Sequence, residues 1–233
     1  MTATADLRAT EATLQRRFRV VETPVDVAGR TLRIVHPASA EDLISESDFD
    51  EDERLPYWAE LWPSSRVLAE RLVAMDGAHR TLLELGCGAG LVATAAALAG
   101  FDVTASDYYA DALRFTRVNA WRNGAAPPRG LLLDWRNPIA PARRFDLIVA
   151  SDVLYERPYG VLVARVIDLM LAPHGTALVA DPGRVARDDF VAALTPLGLA
   201  VASRDSSVFR DQAIRQTITT FAVVRRAAAK RAD

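Results

Sequence analysis

From Thr81 to Val224 short apolar runs alternate with stretches patterned as helices, and this alternation constrains the fold more than any other feature. TLLEL (81–85), DVTAS (102–106), GLLLD (130–134), FDLIVAS (145–151) and TALVA (176–180) read as strands. Between or after them LVATAAALA (91–99), ADALRFTRVNAW (110–121), VLVARVIDLML (161–171) and DDFVAALTPLG (188–198) read as helices. Strands that are apolar throughout are buried on both faces, and helices between them supply the cover, so the sheet is parallel. LAVASR (199–204) and QTITTFAVV (216–224) have no helix between them and are predicted to close the sheet as an antiparallel hairpin. The expectation is one α/β domain with a doubly wound, mostly parallel, seven-stranded sheet, and 233 residues suffice for its core.

Upstream, residues 1–54 read as an extension. Residues 1–18 suggest a loosely attached helix, and FRVVETPVDV and TLRIV form a hairpin joined at Ala28-Gly29-Arg30. Residues 41–53 (EDLISESDFDEDE) are strongly acidic, read as a solvated segment or as a collar that attracts a cationic substrate. Pro63 opens a helix with Leu68, Leu72 and Met75 on one face. The main domain is expected over 55–226, followed by a short basic tail, 227–233, read as frayed.

Several function classes recede on composition. The net charge of −2, without a basic stripe, leaves no electrostatic footprint for nucleic acid. A single cysteine, Cys87, and three scattered histidines (His36, His79, His174) provide no disulfide framework and no metal-ligand spacing, so no metal is expected. No apolar stretch reaches membrane-spanning length, and the N-terminus resembles neither a signal nor a transit peptide; a cytoplasmic protein without a membrane partner is expected.

The chemistry concentrates where the first strand of the alternation runs into Glu84-Leu-Gly86-Cys87-Gly88-Ala-Gly90. Glycines there let the backbone pass beneath a ligand. A dinucleotide fingerprint needs a small residue at position 91, which is Leu91, and no Gly-Lys-Ser/Thr ending marks a phosphate loop. Glu84, two residues before Gly86, favours a ligand amino or sulfonium group over a pyrophosphate. Asp107 ends the second strand, where a carboxylate can accept both ribose hydroxyls. Asp134 can accept the adenine amino hydrogen, and Trp135 can pack on the ring.

E-x-G-x-G-x-G, the acidic second-strand end and the third-strand Asp134 resemble class I S-adenosylmethionine-dependent methyltransferases, a Rossmann-like fold. PYWAELWPSS, LDW and Asp152-Val-Leu-Tyr155 look like the seven-strand protein lysine methyltransferases, with Asp-x-x-Tyr/Phe after the fourth strand. Asp181-Pro-Gly-Arg184 and PYWA are most similar to the enzyme that methylates lysines of the electron transfer flavoprotein β subunit. The resemblance spans about Leu55 to Arg184. It implies S-adenosyl-L-methionine as cofactor and a protein substrate presenting a lysine, with that β subunit one candidate. It places Trp62, Gly86, Gly88, Asp107, Trp135 and Ser151 on the cofactor side and Asp152 and Tyr155 on the substrate side. The glycine loop and Ser106-Asp107-Tyr108-Tyr109 are common to the wider class and point to no one substrate.

Asp152 then can accept a hydrogen bond from an incoming amine, and Tyr155 can offer a ring face or hydroxyl beside it. Trp62 is read as a wall over the methionine part of the cofactor. Arg184 is equally open as a substrate contact or as the partner of an acidic neighbour. Three other functions stay open: a small-molecule N-methyltransferase on the same scaffold, a nicotinamide-dependent oxidoreductase, and a non-catalytic S-adenosylmethionine-binding protein.

Overall fold

The computed structural model of the chain describes residues 3–40, 43, 57–211 and 214–226. Nearly all of the acidic stretch lies outside these residues, as does the tail from 227 onward. Elements run α1 (Ala3–Arg17), β1 (Val20–Val27), β2 (Arg30–Pro37), a 3-10 turn (Tyr57–Ala59), α2 (Pro63–Val73), β3 (Thr81–Leu85), α3 (Leu91–Leu98), β4 (Asp102–Asp107) and α4 (Ala110–Arg122). They continue with β5 (Arg129–Leu132), β6 (Phe145–Ser151), α5 (Arg157–Met170), β7 (Leu171–Asp181), α6 (Arg187–Leu194), a 3-10 turn (Thr195–Leu197), β8 (Leu199–Asp211) and β9 (Ile214–Arg225).

The main sheet has the order β5-β4-β3-β6-β7-β9-β8. β5, β4, β3, β6 and β7 are parallel, and β9 runs antiparallel between β7 and β8. The expected seven-stranded, mostly parallel sheet with an antiparallel C-terminal hairpin is thus the observed one. Strand alternation sends successive side chains to opposite cores. Leu83, Leu85, Ile148, Ala150 and Val179 pack under α5 and α6. Leu82, Val103, Leu147, Val149 and Leu178 pack under α2 and α3. After β3 the chain winds outward to β4 and β5, then returns to β6 on β3's other side. The crevice beyond the carboxyl ends of β3 and β6 is therefore the switch point where such sheets bind ligands.

Three strands depart from the sequence reading. β5 ends at Leu132, short of Asp134, because it is an edge strand paired only with β4; Leu133 instead donates its N–H to the Asp107 carbonyl. β7 begins at Leu171, directly out of α5, and the Pro-His-Gly stretch is absorbed in a register shift against β6 between Phe145 and Leu147. β8 runs on to Asp211, so the hairpin extends past the end of β7, where Ser207–Asp211 pair only with Ile214–Ile218. Ion pairs Arg66–Asp211 (2.7 Å) and Arg71–Asp205 (2.8 Å) hold this arm against α2.

The N-terminal helix is not loosely attached. Leu7 and Leu14 are buried, and Leu14 joins Val35, Phe115 and Val118 in one cluster. Arg17 pairs with Asp111 (2.8 Å), and Arg122 of α4 pairs with Glu11 and Glu22. The hairpin β1–β2 turns at Ala28 and Gly29, both at positive φ, as a two-residue turn requires. Buried Asn119 ties this region to the glycine loop: it accepts the Val35 N–H (2.8 Å) and donates to the carbonyls of Val35 (2.7 Å) and Ala89 (2.8 Å).

Candidate active site

The switch-point crevice is an open cleft of about 990 Å³, counting solvent at its mouth. The twelve residues read in the sequence as catalytic or cofactor-binding all line it: Trp62, Glu84, Gly86, Cys87, Gly88, Gly90, Asp107, Asp134, Trp135, Ser151, Asp152 and Tyr155. Its floor is the loop after β3. Gly86, Gly88 and Gly90 all have positive φ, and at Gly90 a Cβ would lie 2.5 Å from the Thr116 Cα, so α4 itself forbids a side chain. The Cys87 thiol is buried, receives the Thr116 hydroxyl (3.2 Å), and burial pushes its pKa up, so it packs rather than reacts.

Two carboxylates frame that floor. Asp107 accepts the backbone N–H of Gly88 (2.9 Å) on one oxygen and of Tyr109 (3.0 Å) on the other, and the Tyr108 backbone N–H also bonds this carboxylate. Burial outweighs these bonds and lifts its pKa to about 6. Glu84 is 1% exposed, and its Oε2 has no hydrogen-bond partner among the described residues. Burial, reinforced by the charge of Asp107, holds Glu84 well above the ordinary carboxylate range. A buried, unpartnered carboxylate oxygen calls for a cationic or hydrogen-donating ligand group.

The opposite wall is aromatic. Trp62, Tyr57, Tyr155, Tyr159 and Trp135 form a continuous edge-to-face series with centroid separations of 6.0, 5.4, 5.0 and 5.4 Å. Three segments supply it: the stretch from Tyr57 to Trp62 ahead of α2, the loop into α5 with that helix's first turn, and Trp135 in the loop after β5. Tyr159 went unsingled in the sequence; its i, i+4 spacing from Tyr155 was the available signal. Trp58 also lines the cleft, and its ring packs with Phe18, Tyr109 and Phe115. Burial raises the Tyr155 phenol above its usual range, so it stays protonated and is no general base.

Asp152 follows β6 at φ 60, in the left-handed region, and its side chain is 2% exposed. Both its oxygens are engaged: Oδ1 by Arg184 Nε at 2.6 Å, Oδ2 by the buried Ser64 hydroxyl at 2.9 Å. The guanidinium of Arg184 also lies over the Trp62 ring, 5.1 Å from its centroid. Arg184 is therefore the partner of an acidic neighbour. Ser64, hidden in the first turn of α2, had no sequence signal. Asp134 is bonded by its neighbour Arg136, through backbone N–H and guanidinium at 2.9 Å each.

Residues 53–218 match the family described as "Methyltransferase domain". The chain belongs to that family. S-adenosylmethionine is its cofactor, and the site fits such a ligand: the unpartnered Glu84 oxygen suits its amino or sulfonium cation, and the Asp107 oxygens suit its ribose. Methyltransferase-domain relatives share moderate identity with this chain. The electron transfer flavoprotein β subunit lysine methyltransferase of Danio rerio is 34% identical over 58% of this chain and 53% of its own length. The ribosomal protein L11 methyltransferase of Azotobacter vinelandii is 33% identical over 56% of this chain and 40% of its own. EEF1A lysine methyltransferase 3 of Mus musculus is 30% identical over 66% of this chain and 70% of its own. The chain spans about half the length, or less, of the first two.

Proposed function

We propose that this methyltransferase-family protein transfers a methyl group from S-adenosylmethionine to the side-chain amine of a lysine in another protein. The observation that carries this reading is the juxtaposition, in one cleft, of a carboxylate-framed glycine floor, an aromatic wall and the Asp152 carboxylate. Relatives whose names specify protein acceptors, two of them lysine acceptors, support it. The bound cofactor supplies an electrophilic methyl carbon, which an amine attacks as the carbon–sulfur bond breaks.

The chain's residues bind and orient. Glu84 and Asp107 would hold the cofactor by its cation and ribose, and the Trp135 face would pack beside its adenine. The acceptor amine must be neutral to attack, and water-poor surroundings along the Tyr57, Tyr155 and Tyr159 rings lower a lysine pKa. The ring faces also attract the amine while it is still charged, by roughly 0.5–2 kcal/mol. Alignment of nitrogen and methyl carbon is the catalytic contribution.

The test is incubation with methyl-tritiated S-adenosylmethionine and an extract of cells lacking the protein, with purified electron transfer flavoprotein β subunit offered separately. Label in a discrete protein band, at lysine and lost with Asp107→Ala, is the expected result. Label confined to small molecules overturns the protein acceptor in favour of a small amine.

A further inference from the structure

Asp152 and Trp62 both line the cleft, and together they make a cation site: a carboxylate with a 2% exposed side chain beside an aromatic face. Buried carboxylates and indole faces each attract positive charge, and the attraction strengthens where water is excluded. That site is taken by the chain's own cation. Arg184 Nε is 2.6 Å from Asp152 Oδ1, and the same guanidinium lies 5.1 Å from the centre of Trp62.

The hold is a releasable one. Arg184 touches Asp152 through a single nitrogen, whereas the strongest arginine–carboxylate pairs are bidentate. Its side chain is 32% exposed, so it has solvent to swing into. It stands at the end of the Asp181–Arg184 turn beside Gly183, whose φ of +102 is open to glycine alone. Asp181, fully buried, accepts the N–H groups of Gly183 (2.7 Å) and Arg184 (3.2 Å), so the backbone stays anchored while the side chain is free to leave. Asp152 is meanwhile fixed independently: Ser64 holds its other oxygen, and its own N–H bonds the Ala180 carbonyl at 2.9 Å.

We propose that Arg184 is a resident stand-in for the acceptor's cation, occupying the site between Asp152 and Trp62 until an incoming lysine ammonium displaces it. The identity of the acceptor rests on the proposed function above; the cation site rests on the geometry alone. Displacement makes the arginine a specificity-determining residue. A neutral or anionic side chain entering the cleft leaves the Asp152–Arg184 pair intact, while an alkylammonium restores what it breaks. An apparent affinity reduced by the fraction of molecules with the arginine swung out is the consequence.

The test uses n-butylammonium as a lysine side-chain probe, titrated by calorimetry at constant ionic strength into the full chain with S-adenosylhomocysteine present. Arg184→Ala is expected to bind the probe at least about tenfold more tightly than the unaltered protein. The double variant Arg184→Ala, Asp152→Asn should lose that gain. Arg184→Met, which keeps an aliphatic stem over Trp62, is the second variant should the alanine form fold poorly. Equal binding by variant and unaltered protein, or a gain that survives Asp152→Asn, overturns the proposal. A titrating cation site in a protein that labels no protein acceptor leaves the stand-in standing and overturns the lysine reading. Labelled lysine with no gain in Arg184→Ala does the reverse.

Discussion

The glycine floor offers a controlled experiment, because two glycines with nearly equal φ differ in the space around them. Gly90 (φ +85) and Gly29 (φ +81) both occupy the left-handed region, where an L side chain costs roughly 1–2 kcal/mol. At Gly29 an added Cβ meets nothing within 4 Å. At Gly90 it falls 2.5 Å from the Thr116 Cα, 2.6 Å from its Oγ1 and 2.7 Å from its Cβ. The Cα belongs to the backbone of α4, so no rotamer change relieves the overlap, and overpacking of this kind adds about 1–3 kcal/mol. Gly29→Ala is expected to lower stability by about 1–2 kcal/mol and Gly90→Ala by about 2–5 kcal/mol. That is a large part of the 5–15 kcal/mol typical of a domain. Equilibrium urea unfolding of both variants, with m-values compared, reads the difference directly. Thr116→Ala in the Gly90→Ala background should restore little, since the Cα and Cβ contacts remain. Cofactor affinity should fall for Gly90→Ala and stay unchanged for Gly29→Ala. Equal destabilisation by the two substitutions would refute the close-approach argument and leave φ as the whole explanation.

Two further outcomes follow from the same site. Asp107 titrates at about 6 in the fold against 3.8 ordinarily, so burial penalises its ionised form. The free protein therefore loses stability as pH rises through about 6, by at most ~3 kcal/mol from this group. Cofactor affinity, which needs the carboxylate, rises over the same interval; calorimetric titrations at pH 5 and 7.5 should show opposite trends in binding and stability, both flattened in Asp107→Asn. Asn119→Leu strands the buried N–H of Val35 and the carbonyl of Ala89, at a cost of about 1–3 kcal/mol for each unsatisfied group. It should loosen the N-terminal hairpin and weaken cofactor binding together, measured by hydrogen exchange of β2 and by calorimetry. Loss of one without the other would break the proposed link between hairpin and glycine loop.

The fold was legible because its signals are local. β6 matches FDLIVAS residue for residue, since its unbroken apolar run Leu147–Ala150, buried on both faces, has one solution in a parallel sheet. The misread boundaries are those where a neighbour decides. Nothing in DSSVFRD marks it as strand; β9 makes it one by pairing with it beyond the end of β7. GLLLD ends early as a strand because only β4 is there to pair with it. The attachment of α1 was unreadable for the same reason, since Leu7 and Leu14 need partners from α4 and β2 to become core.

The candidate site divides in the same way. Residue types and spacing near single strand ends pointed to Glu84, the three glycines, Asp107 and Trp135, because each lies at or soon after the carboxyl end of a strand and the sheet delivers those ends to one crevice. The state of Asp152 was decided by tertiary structure alone. Its two oxygens are claimed by Ser64, 88 residues away, and Arg184, 32 residues away, and only packing of α2 and the turn after β7 brings them together. Sequence spacing reports the periodicity of a single element; hydrogen bonds and ring contacts between elements depend on how three or four of them pack, and that information exists only once the sheet has closed around its two cores.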